Sequence, residues 1–247
     1  MIYNEDCLQT MFTRLDMGSV DLTVTSPPYD GLRTYHGYSF DFPSVALGLL
    51  RVTKPGGVIV WIVGDATKRG SESGTSFRQA LHFLELGFNL HDTMIYRKTS
   101  YVPLTHNRYE QAFEYMFVLS RGRPATFNPL REVCVDAGEI QNTRTFYQTA
   151  KCDKPSLLNS AKPVREEKIR ANVWDIWPRG GVKGHPAQFP EPLARDHILS
   201  WSNPGDLVYD PFMGSGTTAI AARDTGRRWV GSEVSAEYCA IAKVRLS

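Results

Sequence analysis

Residues 206–224 of this chain are DLVYDPFMGSGTTAIAARD, and this stretch decides the fold. Residues 206–209 have the composition of a short buried strand, and residues 217–224 have a helical pattern. The turn between them contains Gly214 and Gly216, which permit backbone angles and close approaches that a Cβ atom would block. Such a strand-to-helix turn points backbone N–H groups and a helix N-terminus at a ligand, typically a carboxylate or phosphate. No lysine follows the glycines, so a nucleoside-triphosphate P-loop is excluded.

The same alternation of strand and helix extends through most of the chain. The patterns predict strands at residues 2–3, 20–25, 57–63, 93–97, 113–119, 206–209 and 228–230. They predict helices at residues 7–14, 43–52, 76–87, 192–201, 217–224 and 236–246. In the third helix Phe77, Ala80, Leu81 and Leu84 share one face. Because the strands are nearly continuous apolar runs, we predict an α/β fold with a seven-stranded, doubly wound, Rossmann-like sheet.

An acidic residue follows the last predicted strand. Glu233 comes about 20 residues after the glycines, where nucleotide-binding folds place the acid that accepts hydrogen bonds from ribose hydroxyls. The simpler alternative is an acid beside a helix N-terminus. Together with the glycine-rich turn, Glu233 favours a cofactor that contains a nucleoside.

A second motif, Ser26-Pro27-Pro28-Tyr29, follows the predicted strand at residues 20–25. Ligands of open α/β sheets bind beyond the carboxyl ends of the strands. The Ser26 hydroxyl and the Pro27 carbonyl can accept the two N–H groups of an amino group on a nucleic-acid base, which localises its lone pair. Tyr29 offers a flat face on which a flipped base can stack. Taken alone, the motif could also be a proline turn with a capping serine.

Other routes to base chemistry lack the residues they need. The four cysteines form no C-x-x-C pair, and the six histidines are scattered, so we predict no metal site and exclude a zinc deaminase. C5-cytosine methylation needs a nucleophilic cysteine after a proline, and the chain has no Pro-Cys pair. Direct displacement by an exocyclic nitrogen remains, for which catalysis is mostly positioning and electrostatics.

Charge is distributed unevenly along the chain. The net charge is only +2, but residues 141–190 hold nine Lys/Arg and four Asp/Glu. This basic segment indicates either a polyanion-binding lobe or a solvated surface insertion. No stretch approaches the roughly 20 apolar residues of a membrane span, and no secretory signal is recognisable. We therefore expect a cytoplasmic protein.

The two motifs, in this order, resemble those of the β group of DNA amino-methyltransferases. The resemblance covers almost the whole chain. Residues 4–8 (NEDCL) are similar to the family's G-D-C-L segment, and residues 185–190 (HPAQFP) resemble its H-P-x-Q-K-P segment, with Phe189 in place of lysine. Relative to a standard methyltransferase sheet the order is circularly permuted, so the helix ending at Leu246 should lie next to the strand at residues 2–3.

The resemblance implies S-adenosylmethionine as cofactor and methyl transfer to the exocyclic amino group of a flipped DNA base. It implies a catalytic half at residues 1–127, a target-recognition insertion at 128–184 and a cofactor-binding half at 185–247. Ser26 favours N4-cytosine, because aspartate is commoner at this position in adenine-N6 enzymes. The alternatives are adenine as the target, an RNA base methyltransferase, and a non-catalytic nucleic-acid-binding module of the same fold.

The predicted site residues fall into three groups. The predicted catalytic residues are Ser26, Pro27, Pro28 and Tyr29. The predicted cofactor-binding residues are Asp6, Cys7, Asp210, Phe212, Gly214, Gly216, Thr217, Thr218 and Glu233. The predicted DNA contacts are Arg165, Lys168 and Arg170. The expected partner is double-stranded DNA in a prokaryotic or phage setting, with a cognate restriction endonuclease and a second copy of the chain as further candidates and with no membrane partner.

Overall fold

The computed structural model describes residues 1–28, 40–101, 107–147, 156–178 and 190–247. The chain forms two compact units. Unit 1 comprises Met1–Asn128 and Asn172–Ser247, and unit 2 comprises Pro129–Ala171. The predicted stacking residue Tyr29 and the predicted segment at residues 185–189 lie outside the described residues.

Unit 1 contains most of the predicted elements, with bounds close to the predicted ones. Its first part contains β1 (Ile2–Tyr3), α1 (Cys7–Thr13), β2 (Val20–Thr25), α2 (Phe42–Val52), β3 (Thr53–Val63), β4 (Thr67–Lys68), β5 (Ser71–Glu72), α3 (Thr75–Glu85), β6 (Asn89–Lys98) and β7 (Phe113–Ser120). Unit 2 follows with β8 (Arg131–Val133), β9 (Ile140–Tyr147), β10 (Ser156–Pro163) and β11 (Glu167–Ile169). Unit 1 then resumes with β12 (Val173–Ile176), α4 (Glu191–Trp201), β13 (Leu207–Asp210), α5 (Thr217–Asp224), β14 (Arg228–Ser232) and α6 (Ala236–Leu246).

The main sheet of unit 1 confirms the predicted mainly parallel α/β class. Its strand order is β1-β14-β13-β2-β3-β7-β6-β12, and β7 alone among these strands runs antiparallel to its neighbours. The central strand β3 is buried on both faces, as its unbroken apolar run predicts. Trp61 of β3 packs edge-to-face against Phe83 of α3, with ring centroids 5.2 Å apart. The core therefore lies between the sheet and its helices, and the site lies at the rim.

The predicted strand count is wrong, because the described sheet has eight strands rather than seven. The additional strand, β12, lies inside the segment predicted as an insertion and pairs in parallel with β6. Burial alternates along it, with Trp174 and Ile176 inside and Val173 and Asp175 outside. The surrounding polar residues hide this short alternating pattern. Unit 2 ends at Ala171, so residues 172–178 of the predicted insertion belong to unit 1.

Helix α3 forms where predicted, but its apolar face does not point into the core. The buried side carries Ser76, Gln79, Ala80 and Phe83. Two polar contacts fix this orientation. The carboxylate of Asp65 accepts hydrogen bonds from the Ser76 backbone N–H and hydroxyl, and Gln79 Oε1 accepts a 2.8 Å hydrogen bond from Trp61 Nε1. Phe77, Leu81 and Leu84 consequently face outward.

The two ends of the chain meet at one edge of the sheet, as the permuted order requires. Strand β1 pairs in parallel with β14. The Met1 amino group donates to the Trp229 carbonyl at 2.8 Å. Ile2, Trp229 and Leu246 pack against one small apolar cluster around Ala242. The predicted proximity of the last helix and the first strand is therefore confirmed.

Unit 2 consists of two antiparallel strand pairs. Strand β8 pairs with β11, and β9 pairs with β10 over eight residue pairs from Ser156↔Tyr147 to Pro163↔Ile140. Across the shorter pair, Lys168 Nζ lies 3.2 Å from Glu132 Oε1. In the part of the chain that the structure describes, no helix is both long and apolar enough to cross a membrane.

Candidate active site

The sheet topology brings the two sequence motifs together. Residues 26–28 form the proline corner at the end of β2, and residues 210–216 form the glycine corner at the end of β13. Strands β2 and β13 are parallel neighbours, with Leu22 opposite Val208 and Thr23 opposite Tyr209. Parallel neighbours end at the same edge of a sheet, which is the edge that binds ligands in open α/β folds.

A buried hydrogen bond joins the two corners directly. Thr25 Oγ1 donates to Asp210 Oδ1 at 2.7 Å, and both residues are almost completely buried. The same carboxylate oxygen accepts the Phe212 backbone N–H at 3.0 Å. Asp210 therefore fixes the start of the glycine corner against the last residue of β2.

A cleft of about 240 Å³ opens between the two corners. It is bordered by seven of the predicted site residues, namely Asp6, Cys7, Ser26, Pro28, Phe212, Gly214 and Glu233. The sequence reasoning missed several other residues that border it, including Glu5, Leu8, Phe40, Asp41, Val45 and Tyr238. The proline corner and the glycine corner thus face one shared space.

Other predicted site residues lie beneath the cleft and do not border it. Pro27 is buried. Thr217 and Thr218 are buried at the start of α5, where Thr218 Oγ1 donates to the Val24 carbonyl at 3.2 Å. Gly216 precedes α5 with φ +86°, and a Cβ there would come within 3.2 Å of Ala242. Together with Asp210, these residues hold the turn in place.

Burial sets the electrostatics of Asp210. It raises the pKa of this carboxyl from 3.8 to about 6, and nearby Glu233 raises it further. Hydrogen bonds from the Thr25 and Thr218 side chains and from the Phe212 N–H lower the pKa but do not cancel the effect of burial.

Glu233 holds the glycine corner and also borders the cleft. Its Oε2 atom accepts the Gly214 N–H, and its Oε1 atom accepts the Ser235 N–H, both at 2.8 Å. Burial raises the pKa of this carboxyl. The Gly214 N–H is therefore bound by the chain's own carboxylate, although the sequence suggested that the turn would offer it to an anionic ligand. Asn4 Nδ2 donates to the carbonyls of Glu233 and Val234, at 2.9 and 3.0 Å, which ties the N-terminal segment to the same wall.

The cleft is acidic. Four carboxylates border it, those of Glu5, Asp6, Asp41 and Glu233, and no Lys, Arg or His is among the described residues that do so. Glu5 is partly neutralised by Arg14 at 3.3 Å. This surplus of negative charge favours a cationic ligand and disfavours a phosphate.

The opposite wall of the cleft is aromatic. Phe40 and Phe212 meet edge-to-face, with ring centroids 5.4 Å apart. Phe40 and Asp41 stand at the start of α2, where Asp41 accepts the Ser44 N–H at 3.3 Å as the N-cap. An aspartate two residues before a proline that opens a helix is a recognisable cap signal, and it could have located this wall from the sequence.

Two further predictions concern cysteine and metal chemistry. Burial, together with the adjacent Asp6, raises the pKa of the Cys7 thiol to about 12, so Cys7 borders the cleft as a protonated thiol. Among the described residues, no group of three or more His, Cys, Asp or Glu is arranged to hold a metal ion.

The predicted DNA contacts all lie in unit 2 and differ in their surroundings. Arg165 and Lys168 are exposed, whereas Arg170 is half-buried and its backbone N–H donates to the Leu130 carbonyl at 2.9 Å. Arg165, Lys168 and the unpredicted Arg131 border a second cavity of about 460 Å³ within this unit. Lys168 is the one of these three whose ion pair, with Glu132, was described above.

The family model for the N6/N4 methyltransferases, described as DNA methylase, matches residues 20–244. The match covers most of the chain, so the chain belongs to this family of DNA amino-methyltransferases. The resemblance inferred from the two motifs is therefore confirmed.

Individual relatives agree with this assignment. The chain is 52% identical over 245 residues to the orphan methyltransferase M.BamHII of Bacillus amyloliquefaciens, with 92% of this chain and 89% of that protein covered. It is 29% identical over 245 residues to the DNA adenine methyltransferase YhdJ of Escherichia coli K12, with 92% and 76% covered.

Solved structures show the same fold. The cytosine-N4-specific PvuII DNA methyltransferase superposes with a TM-score of 0.74 at 23% identity, covering 100% of this chain and 86% of that one. M1.HpyAVI, solved as a complex with S-adenosylmethionine (SAM), superposes with a TM-score of 0.65 at 23% identity, covering 99% and 98%.

Proposed function

We propose that this enzyme transfers a methyl group from S-adenosylmethionine to the exocyclic amino group of a base in double-stranded DNA, with N4 of cytosine as the preferred acceptor. One observation carries the proposal. The proline corner and the glycine corner border a single acidic cleft, and the Thr25–Asp210 hydrogen bond fixes one against the other.

The residues of the cleft fit this cofactor. S-adenosylmethionine supplies a methyl group on a positively charged sulfur when it is bound. Its sulfonium and ammonium groups match the carboxylates of Asp6, Asp41 and Glu233, and its purine matches the apolar wall of Phe40 and Phe212. The free lone pairs of the Glu233 carboxylate can accept the ribose hydroxyls.

The proline corner supplies the acceptor side of the reaction. The Ser26 hydroxyl and the Pro27 carbonyl accept the two N–H groups of the base, so the nitrogen lone pair points toward the methyl donor. Two consecutive prolines limit backbone rotation, and this rigidity keeps the acceptors in place. The rate enhancement then comes from holding the reacting atoms in line and from the charge around them.

The preference for cytosine depends on Ser26. A neutral hydroxyl stands where adenine enzymes of the family commonly have aspartate. The likeness to the cytosine-N4-specific PvuII enzyme is in the same direction but concerns the fold, and the relative YhdJ is named for adenine. Adenine N6 is therefore the second candidate.

Unit 2 is the proposed DNA-recognition element. The exposed Arg131 and Arg165 can contact phosphates, whereas Lys168 is shared with Glu132. We place the enzyme in the bacterial cytoplasm. Because the relative with 52% identity is named an orphan methyltransferase, we propose that this enzyme also acts without a dedicated restriction endonuclease.

The decisive experiment uses unmethylated genomic DNA and methyl-labelled cofactor, followed by digestion to nucleosides and mass spectrometry. We expect label in N4-methyldeoxycytidine. Label in N6-methyldeoxyadenosine would assign adenine as the target, and label in competing RNA but not in DNA would assign an RNA enzyme. Cofactor binding with no transfer to any nucleic acid would favour a non-catalytic module and overturn the proposal.

A further inference from the structure

Helix α3 presents an apolar stripe to solvent. Phe77, Leu81 and Leu84 are 50%, 59% and 39% exposed, and their i, i+4, i+7 spacing puts them on one face. The stripe continues onto β7 through Tyr115, whose ring lies 5.2 Å from Phe77 and 5.3 Å from the 37% exposed Phe113. These five residues form the α3 surface. A contiguous exposed apolar patch of this kind marks an interaction site.

Other exposed apolar side chains of unit 1 lack this continuity. Phe12 on α1 lies under the guanidinium group of Arg51, at 5.8 Å from the ring centroid. Leu47 on α2 is 52% exposed. An apolar side chain that stands singly at the surface is normal and needs no partner.

Charges flanking the stripe indicate what covers it. Arg78 and Glu85 are seven residues apart, so they lie two helical turns apart on the same flank. Both are exposed, and their contacts within the helix are weak. Arg78 donates to Thr75 Oγ1 at 3.2 Å, and Glu85 lies 3.5 Å from His82 Nδ1. Both side chains can therefore reach a neighbouring molecule.

A second copy of the same helix complements this pattern. In an antiparallel pair related by a twofold axis, each flank faces the same flank of the other helix. An axis passing between Leu81 and His82 places Arg78 of each copy opposite Glu85 of the other, because the two residues are equally far from that point. The apolar stripes then cover each other, and two opposite-charge pairs form at the flank.

We propose that two copies of this chain associate through the α3 surface, with α3 packed antiparallel to α3 of the second copy. The inference goes beyond methyl transfer and does not depend on which base is methylated. It assigns the exposed face of α3, which packing within one chain leaves unexplained, to an isologous interface.

Sedimentation velocity of the full chain over a range of concentrations tests this association. We expect a monomer–dimer equilibrium for the unaltered protein. Leu81→Glu should make it monomeric, whereas Leu47→Glu, a matched change at an equally exposed leucine on α2, should leave the dimer dissociation constant unchanged. A protein that is monomeric at every concentration, or a Leu81→Glu variant that dimerises normally, would overturn the proposal.

A charge reversal tests the antiparallel geometry and is insensitive to general folding defects. Arg78→Glu and Glu85→Arg should each raise the dimer dissociation constant about 10-fold or more, because the symmetry repeats each like-charge contact. The double variant restores opposite charges at both places and should return the dissociation constant close to its original value. If the double variant is as weak as the single variants, Arg78 does not face Glu85 across a twofold axis.

Discussion

The two corners of the cleft are constructed differently. The glycine corner is held by side chains, with Asp210 and Glu233 accepting backbone N–H groups and Arg245 Nη1 donating to the Ser215 carbonyl at 2.7 Å. The proline corner takes its rigidity from two consecutive prolines. Within the described part of the chain, no hydrogen bond is made by the Ser26 hydroxyl, which borders the cleft. One corner is thus complete before a ligand arrives, and the other keeps its polar groups for the ligand.

This difference suggests a division of labour. A fixed corner binds a constant molecule, the cofactor, without reorganisation. A rigid corner with an uncommitted hydroxyl can hydrogen-bond a base that arrives only when it has left the duplex. Changes at the proline corner should therefore affect turnover, and changes at the glycine corner should affect stability and cofactor binding.

The largest effect is expected for Ser26→Ala. Loss of one positioned hydrogen-bond partner should lower kcat by about 10²–10³-fold. The cofactor dissociation constant should change by less than about 3-fold, because the hydroxyl acts on the base. Single-turnover kinetics and calorimetry measure the two quantities, and Ser71→Ala in the β4–β5 hairpin is the control. Equal losses of turnover and cofactor binding would break the division between the corners.

The next largest effect concerns Asp210 and stability. Because burial raises the folded-state pKa of Asp210 to about 6, from 3.8, the folded protein holds this proton more tightly than the unfolded chain does. This contribution to stability is fully present below about pH 4 and is lost as the pH rises through 6, and it amounts to about 3 kcal/mol.

Urea unfolding between pH 4 and 7 measures this contribution. The unfolding free energy of the unaltered protein minus that of Asp210→Asn should fall as the pH rises from about 4 to about 6 and then level off. Asp224→Asn, which removes an exposed carboxylate, is the control, and its difference should change less over the same range. A flat difference for Asp210→Asn would show that this carboxyl is not strained by burial.

A smaller effect is expected for Glu233→Gln. The amide can accept only one of the two backbone N–H groups, and the negative charge beside the cofactor is lost. The cofactor dissociation constant should rise about 10–100-fold, while kcat at saturating cofactor stays close to the original value. Glu237→Gln, an exposed glutamate in the first turn of α6, should bind the cofactor normally. A loss confined to kcat would place Glu233 on the acceptor side.

The smallest effect is expected in unit 2. Arg165→Ala should weaken DNA binding about 3-fold and reduce the slope of log affinity against log salt by about 0.9, the value for one phosphate contact. Lys168→Ala should change both less, because Glu132 already shares its charge. Binding titrations at several salt concentrations compare the two, and the opposite ranking would mean that the Glu132 pair opens on DNA.

Local patterns made much of the fold and half of the cleft predictable. The strand-to-helix turn at residues 206–224 and the proline corner are contiguous in sequence, so their chemistry is visible without coordinates. The face of α3 was not, because the inward side is set by contacts from Asp65 and Trp61, which lie outside the helix. Phe40 and Tyr238 reach the cleft through tertiary packing, which periodicity does not encode.

The central claim is that both corners serve one reaction. A crystal structure with S-adenosylhomocysteine, the demethylated cofactor, tests it most directly. The purine should lie along Phe212, the ribose should contact Glu233, and the thioether sulfur should face the Ser26 hydroxyl across a space that accommodates a base amino group. A sulfur atom directed away from Ser26, or a ligand bound outside the cleft, would contradict the claim.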